Sequence, residues 1–390
     1  MSLSLHQQTC EGGSILDDLS EFVDQVPLLD HHCHFLIDGK VPNRDDRLAQ
    51  VSTEADKDYP IADTKNRLAY HGFLALAKEF ALDANNPLAA MNDPGYATYN
   101  HRIFGHFHFK ELLIDTGFVP DDPILDLDQT AELVGIPVKA IYRLETHAED
   151  FMLEHDNFAA WWQAFSNDVK QAKAHGFVGF KSIAAYRVGL HLEPVNVIEA
   201  AAGFDTWKHS GEKRLTSKPL IDYMLYHVAP LIIAQDMPLQ FHVGYGDADT
   251  DMYLGNPLLM RDYLKAFTKK GLKVVLLHCY PYHREAGYLA SVFPNLYFDI
   301  SLLDNLGPSG ASRVFNEAVE LAPYTRILFA SDASTYPEMY GLAARQFKQA
   351  LVAHFNQLPF VDLAQKKEWI NAICWQTSAK LYHQERELRV

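Results

Sequence analysis

Eight short apolar runs recur along the chain, and helical patterns separate most of them. They fall at residues 26–30, 112–115, 138–143, 178–183, 238–243, 273–278, 296–300 and 326–332. Each is close to continuously apolar rather than alternating, which is the mark of a parallel strand covered on both faces. His175-Gly176 precedes the fourth run and Lys270-Gly271 the sixth, and glycine there can take the left-handed conformation that ends a helix. Eight strands alternating with helices predict an α/β fold, a (β/α)8 TIM-like barrel, in preference to a doubly wound open sheet. Two stretches exceed a minimal barrel, about 35–110 and 184–218. Both follow the C-terminal end of a strand, where barrel enzymes build their active sites. They read as helical insertions at the C-terminal face that cap a pocket, within one domain spanning 1–390. Residues 361–386 read as one or two helices packed outside the barrel.

Composition narrows the partners. The formal net charge of −16 repels nucleic acid and anionic membranes, leaving a small molecule as the expected partner. Cys10, Cys33, Cys279 and Cys374 are scattered without a CxxC pair, which argues against a disulfide framework and fits a reducing compartment. The first thirty residues lack a basic segment leading into an apolar run, and no apolar stretch reaches about 18 residues. The expectation is a soluble, cytoplasmic protein.

Chemistry concentrates at the ends of the apolar runs. Asp30-His31-His32-Cys33-His34 closes the first. Alternate side chains of a strand share a face, so His32 and His34 point together, with Asp30 on the same side. Two imidazoles so spaced form a chelating pair for a divalent metal. The triplet is a weak signal alone in a chain with 19 histidines. However, Lys181, His242, His278 and Asp332 also sit at the C-terminal ends of their runs. Singly, each has a bland reading: a lone strand histidine is usually a hydrogen-bonded core residue, and Asp332 could cap a helix. Five strands presenting ionisable groups at one barrel end is another matter, because such groups are costly to bury unpaired. A metal reconciles them. Arg187 and Tyr186 follow the fourth run, and Tyr282, His283 and Arg284 follow the sixth. A guanidinium at the pocket mouth suits a carboxylate-bearing substrate. Asp247, Asp249 and Asp251 read as turn formers rather than amine contacts. His101, His106 and His108 read as a polar surface run rather than a pocket lid, and Trp161-Trp162 as helix packing.

The order HxH, Lys, His, His, Asp over strands one, four, five, six and eight resembles the amidohydrolase superfamily. Longer strings point to its amidohydrolase-2 branch, especially the FluG-like part of proteins fused to glutamine synthetase. They are Gly179-Phe180-Lys181-Ser182-Ile183, Phe241-His242-Val243-Gly244-Tyr245, His278-Cys279-Tyr280-Pro281 and Phe329-Ala330-Ser331-Asp332. The resemblance covers about residues 25–385. It implies one or two divalent ions, with Zn2+ expected, held by His32, His34 and His242. Asp332 would be a ligand or near-ligand carboxylate that takes a proton from the attacking water. His278 would bind a second metal or polarise the attacked group. Lys181 would bridge two metals if carboxylated, or pair with an acid in a one-metal site. Tyr186, Arg187, Tyr282 and His283 remain the candidates for substrate binding. The activity implied is metal-dependent hydrolysis of a C–N, amide-like bond. A metal-dependent decarboxylase of the same superfamily and a non-catalytic signalling barrel stay open, as does a homo-oligomer.

Overall fold

The computed structural model describes residues 12–41, 43–89, 95–118 and 123–385. Cys10 and residues 386–390 lie outside them. Seven strands form one parallel sheet in chain order: β1 Leu28–Cys33, β2 Phe109–Asp115, β3 Val138–Arg143, β4 Phe177–Ser182, β5 Pro238–His242, β6 Lys273–Leu277 and β7 Leu296–Phe298. Helices connect successive strands from β2 onward, among them Leu127–Val134, Phe158–Gln171, Lys218–Ala234 and His283–Val292. The apolar runs therefore fall where the sequence places them, and the glycines behind two of them are left-handed, Gly176 at φ 93° and Gly271 at φ 106°.

The eighth run differs. Residues 326–332 form no regular strand, yet they hydrogen-bond to both edges of the sheet. Leu328 N donates to Phe298 O at 2.9 Å, and Phe298 N to Arg326 O at 3.0 Å. On the other side, Asp332 N donates to His32 O at 3.1 Å. The ladder is interrupted because two of its amides are used elsewhere. Phe329 N donates to Ile373 O, and Ser331 N to the Asp30 carboxylate.

Two buried apolar layers result. Leu28, Leu112, Tyr142, Phe180, Leu239 and Leu276 pack outward with the helices in the large core. Leu29, Leu113, Ile141, Val275, Leu277 and Leu328 form a smaller inner cluster, which Ala379, Leu381 and Tyr382 join. This corrects the expectation for the C-terminus. Helices Leu363–Asn371 and Thr377–Leu381 are present, but the chain beyond them sends Tyr382 into the inner cluster rather than staying outside it. Among the described residues, no helix is long and apolar enough to cross a membrane.

The stretch between β1 and β2 carries helices Arg44–Gln50, Ile61–Thr64, Leu68–Glu79 and Gly95–His106. Between β4 and β5 lie Ala184–Arg187 and Val197–Ser210.

Candidate active site

β1 does not keep strict alternation. Its register against β2 shifts between Asp30 and Cys33. The rings of both His31 and His32 consequently engage one buried pair, Gln240 and Tyr382. Asp30 stays beside His32, whose backbone N donates to its Oδ1 at 3.4 Å. Its carboxylate accepts hydrogen bonds from Ser331 N and Oγ, and burial pushes it up to about 7 against those bonds.

The remaining residues expected at the strand ends converge on Asp332. Its Oδ1 lies 3.3 Å from His32 Nε2 and 3.2 Å from His34 Nε2, and its Oδ2 lies 3.4 Å from His278 Nδ1. His242 adjoins through His278, with ring centroids 4.9 Å apart. Lys181 Nζ is 3.4 Å from His32 Nε2. His278 (φ 57°) and Asp332 (φ 50°) hold left-handed backbone, uncommon for such residues and often found at functional sites.

The electrostatics suit a cation. Burial, reinforced by Lys181, drives His32 well below its ordinary range and His242 down to about 3. His278 is lowered by burial in spite of Asp332. Burial thus favours the neutral form of all three rings, the form in which imidazole binds metals. Burial alone would raise Asp332, but His278, His34 and Lys181 outweigh it and hold the carboxyl low. Burial lowers Lys181 to about 8, opposed by Asp115 and Asp332. The buried His242 Nε2 has no hydrogen-bond partner. Donor atoms of His32, His34 and Asp115 lie within 4.8 Å of one another, and so do those of His32, His278 and Asp332. Imidazoles biased to the neutral form, a low carboxylate and an orphaned buried imidazole nitrogen together fit a divalent ion.

A cavity of about 250 Å3 opens onto this cluster, just below the usual span of ligand pockets (about 300–1,000 Å3). His34, Lys181, His242, His278 and Asp332 line its floor. Tyr186, Arg187 and Arg214 from the 184–218 stretch and Glu54 from the 35–110 stretch also line it. Tyr186 packs on the His242 ring at 4.2 Å. Arg187 pairs with Glu149 at 3.3 Å, and its Nε is buried without a partner. Tyr282 and His283 are not among the lining residues. Tyr282 donates its hydroxyl to Met252 O, and His283 faces Glu317 at 2.7 Å on a neighbouring helix. Asp247 and Asp251 do shape turns, accepting from Asp249 N and Tyr253 N, while Asp247 also reaches the cavity. His106 and His108 line a different cavity with Arg345 and Lys348.

Three contributors escaped the reading of the sequence. Asp115 and Arg143 end β2 and β3, so the rule that singled out Lys181 and His242 applies to them equally. Glu54 had no such signal, since it lies in an irregular segment. Burial and the nearby Asp332 and Asp247 push its carboxyl up to about 8.

The sequence profile of the amidohydrolase family matches residues 148–384. The chain belongs to the amidohydrolase family. Protein fluG of Emericella nidulans is 26% identical over 411 aligned residues, covering 96% of this amidohydrolase and 47% of fluG. The chain thus spans about half the length of that relative. Among solved structures, a candidate metal-dependent hydrolase from Lactobacillus casei is 99% identical at a TM-score of 0.95, covering 95% of this chain and 99% of that one. The uronate isomerase of Thermotoga maritima shares the fold at 15% identity and a TM-score of 0.66, covering 97% of this chain and 100% of its own. Glucuronate isomerase of Caulobacter crescentus does so at 17% and 0.63, covering 98% and 97%.

Proposed function

We propose that this amidohydrolase is a metal-dependent hydrolase that cleaves a C–N, amide-like bond of a small carboxylate-bearing substrate. On this reading the domain is a (β/α)8 barrel in which residues 326–332 are the eighth stave and the two long insertions cap the site. The observation that carries the reading is the convergence of three imidazoles on Asp332, with the buried His242 Nε2 beside them left without a hydrogen-bond partner.

His32, His34, His242 and Asp332 would hold the ion, zinc by the softness of the donor set. His278, and Lys181 if carboxylated, would take a second ion. When bound, such a cation acts as a Lewis acid and brings deprotonation of water near neutral pH. The chain's own groups do the rest. Asp332, kept ionised by His278, His34 and Lys181, accepts the proton of the attacking water and returns it to the leaving nitrogen. His278 faces the cavity beside Asp332, with its lone pair available as a ligand. The buried, unpaired Nε of Arg187 offers a donor to a substrate carboxylate, and Tyr186 closes the wall beside His242.

The test joins elemental analysis with turnover. Protein purified without chelator should carry about one to two equivalents of a divalent ion. It should release amine from N-acyl or amide-bearing carboxylic acids and leave their neutral analogues nearly untouched. A uronate and an aromatic acid belong in the same panel, reporting isomerisation and decarboxylation. Absence of metal from protein that cannot be reloaded overturns the reading, and turnover of the uronate or the aromatic acid alone replaces it.

A further inference from the structure

His32 is tied to the far end of the chain through two buried side chains. Gln240 Oε1 on β5 lies 2.8 Å from His32 Nδ1. The amide nitrogen of Gln240 donates to His31 O at 2.9 Å and to the Tyr382 hydroxyl at 2.8 Å. Both amide hydrogens are then used, so the atom facing His32 is the oxygen, and His32 Nδ1 must carry the proton. Its lone pair is left on Nε2, the atom that faces Asp332 and Lys181.

The chain of donors continues. The Tyr382 hydroxyl is 3.3 Å from His31 Nδ1, and His31 Nε2 is 3.1 Å from Asp299 Oδ2. The His31–Asp299 contact is an ion pair outside hydrogen-bond geometry, so the hydrogen-bonded series reaches the His31 ring and ends there. His31, Tyr382, Gln240 and His32 therefore form one buried hydrogen-bonded series, with Asp299 beside it. Asp299 accepts from Ser301 Oγ at 2.6 Å, and Ser301 Oγ lies 2.7 Å from His278 Nδ1. By the same logic His278 keeps its lone pair on Nε2. The seat of Tyr382 is built for a flat ring: a Cβ at Gly179 would fall 3.0 Å from it.

We infer that Gln240 and Tyr382 are positioning residues that lock His32 in its Nε2-binding tautomer, so that the C-terminal segment sets how tightly the site holds a divalent ion. The inference rests on the metal reading of the site. The probe is Zn2+ alone, titrated into metal-stripped protein against a chromophoric chelator, with circular dichroism confirming the fold of each metal-free variant. Gln240→Met removes the acceptor and should weaken zinc about 10–100-fold. Gln240→Glu keeps an acceptor for His32 while losing the donors to Tyr382 and His31, and should bind zinc in the wild-type range. Tyr382→Phe keeps the ring but frees the Gln240 amide to turn, and should weaken zinc about 10-fold. A purely packing role would make the two Gln240 variants alike. The inference falls if Gln240→Glu loses as much affinity as Gln240→Met, or if Tyr382→Phe binds as the wild type does. Should Gln240→Met fail to fold, Tyr382→Phe decides. A wild-type protein that takes up no zinc overturns the metal reading, and this inference with it.

Discussion

Arg143 grips Asp115 from the neighbouring strand. Its Nε lies 3.0 Å from both carboxylate oxygens and its Nη2 2.5 Å from Oδ2, while Nη1 donates to Gly117 O. Burial would raise Asp115, but Arg143 first, then His34 and Lys181, hold its carboxyl low. Asp115 is thereby neutralised beside the histidine cluster, and Asp332 remains the carboxylate free to exchange a proton.

Breaking that grip leaves a buried charge uncompensated. Arg143→Met should cost about 3–5 kcal/mol of stability, the usual penalty for removing one partner of a buried pair. Adding Asp115→Asn should recover a large part of it. Urea denaturation of the metal-free proteins measures both. An unchanged midpoint in Arg143→Met would mean that the pair contributes nothing.

Asp332 and His32 touch each other but should fail differently. Asparagine is nearly isosteric with aspartate and still offers an oxygen, yet cannot act as a base. Asp332→Asn should keep the fold and most of the metal and lose activity by about 10²–10⁴-fold. His32→Ala should release the metal and lower the melting temperature, since bound ligand stabilises the native state by mass action. Activity, metal content and melting temperature on the same preparations separate the two. Near-full activity in Asp332→Asn would move the proton shuttle to His278.

Arg187 lines the cavity, hydrogen-bonds Glu149 through Nη2 and keeps a buried Nε without a hydrogen-bond partner. Removing the guanidinium should raise KM for a carboxylate substrate by an amount equivalent to about 1.5–3 kcal/mol, with little change for a neutral analogue. Because Arg187→Ala also strands Glu149, the double variant Arg187→Ala/Glu149→Gln is the control. Equal effects on the charged and neutral compounds would remove Arg187 from substrate binding.

The strand runs were legible because parallel strands are covered on both faces, and an apolar run overlaps each of β1 to β7, although β1 extends into Asp30-His31-His32 and β2 carries Lys110 and Glu111 near its start. Residues 326–332 share the pattern but not the regular ladder, since the amides of Phe329 and Ser331 are drawn to Ile373 O and Asp30. Composition carries no record of such diversion. The histidine cluster was legible because its members end strands. His31 was not, because only the register shift in β1 places its ring beside that of Tyr382. Tyr382 itself lies 351 residues from His31, and nothing local distinguishes it from a tyrosine on a surface helix. Glu54 is hidden for a related reason: its cavity position depends on how a long connection folds over the sheet.

The last prediction concerns stability rather than catalysis. His354 on helix Pro337–Asn356 sits between Asn316 Oδ1, 2.6 Å from its Nδ1, and the Tyr324 hydroxyl, 2.6 Å from its Nε2. The neutral ring satisfies both, donating from Nδ1 and accepting at Nε2. A protonated ring would force Tyr324 to turn its proton away, and burial already lowers His354 from 6.5 to about 4. A group whose pKa is depressed by folding contributes stability above its unfolded value, and loses it as the pH falls through the folded one. The contribution should therefore be complete above about pH 6.5 and disappear progressively toward about pH 4. Carboxylates titrate in part of this window, so the comparison must be differential. His354→Gln can still accept and donate in place of the ring but cannot be protonated there. Its melting temperature should fall less than that of the wild type between neutral pH and pH 4.5, measured on metal-free samples so that loss of a bound ion does not enter. Parallel melting curves for the two proteins across that range would show that protonation of His354 is not coupled to unfolding.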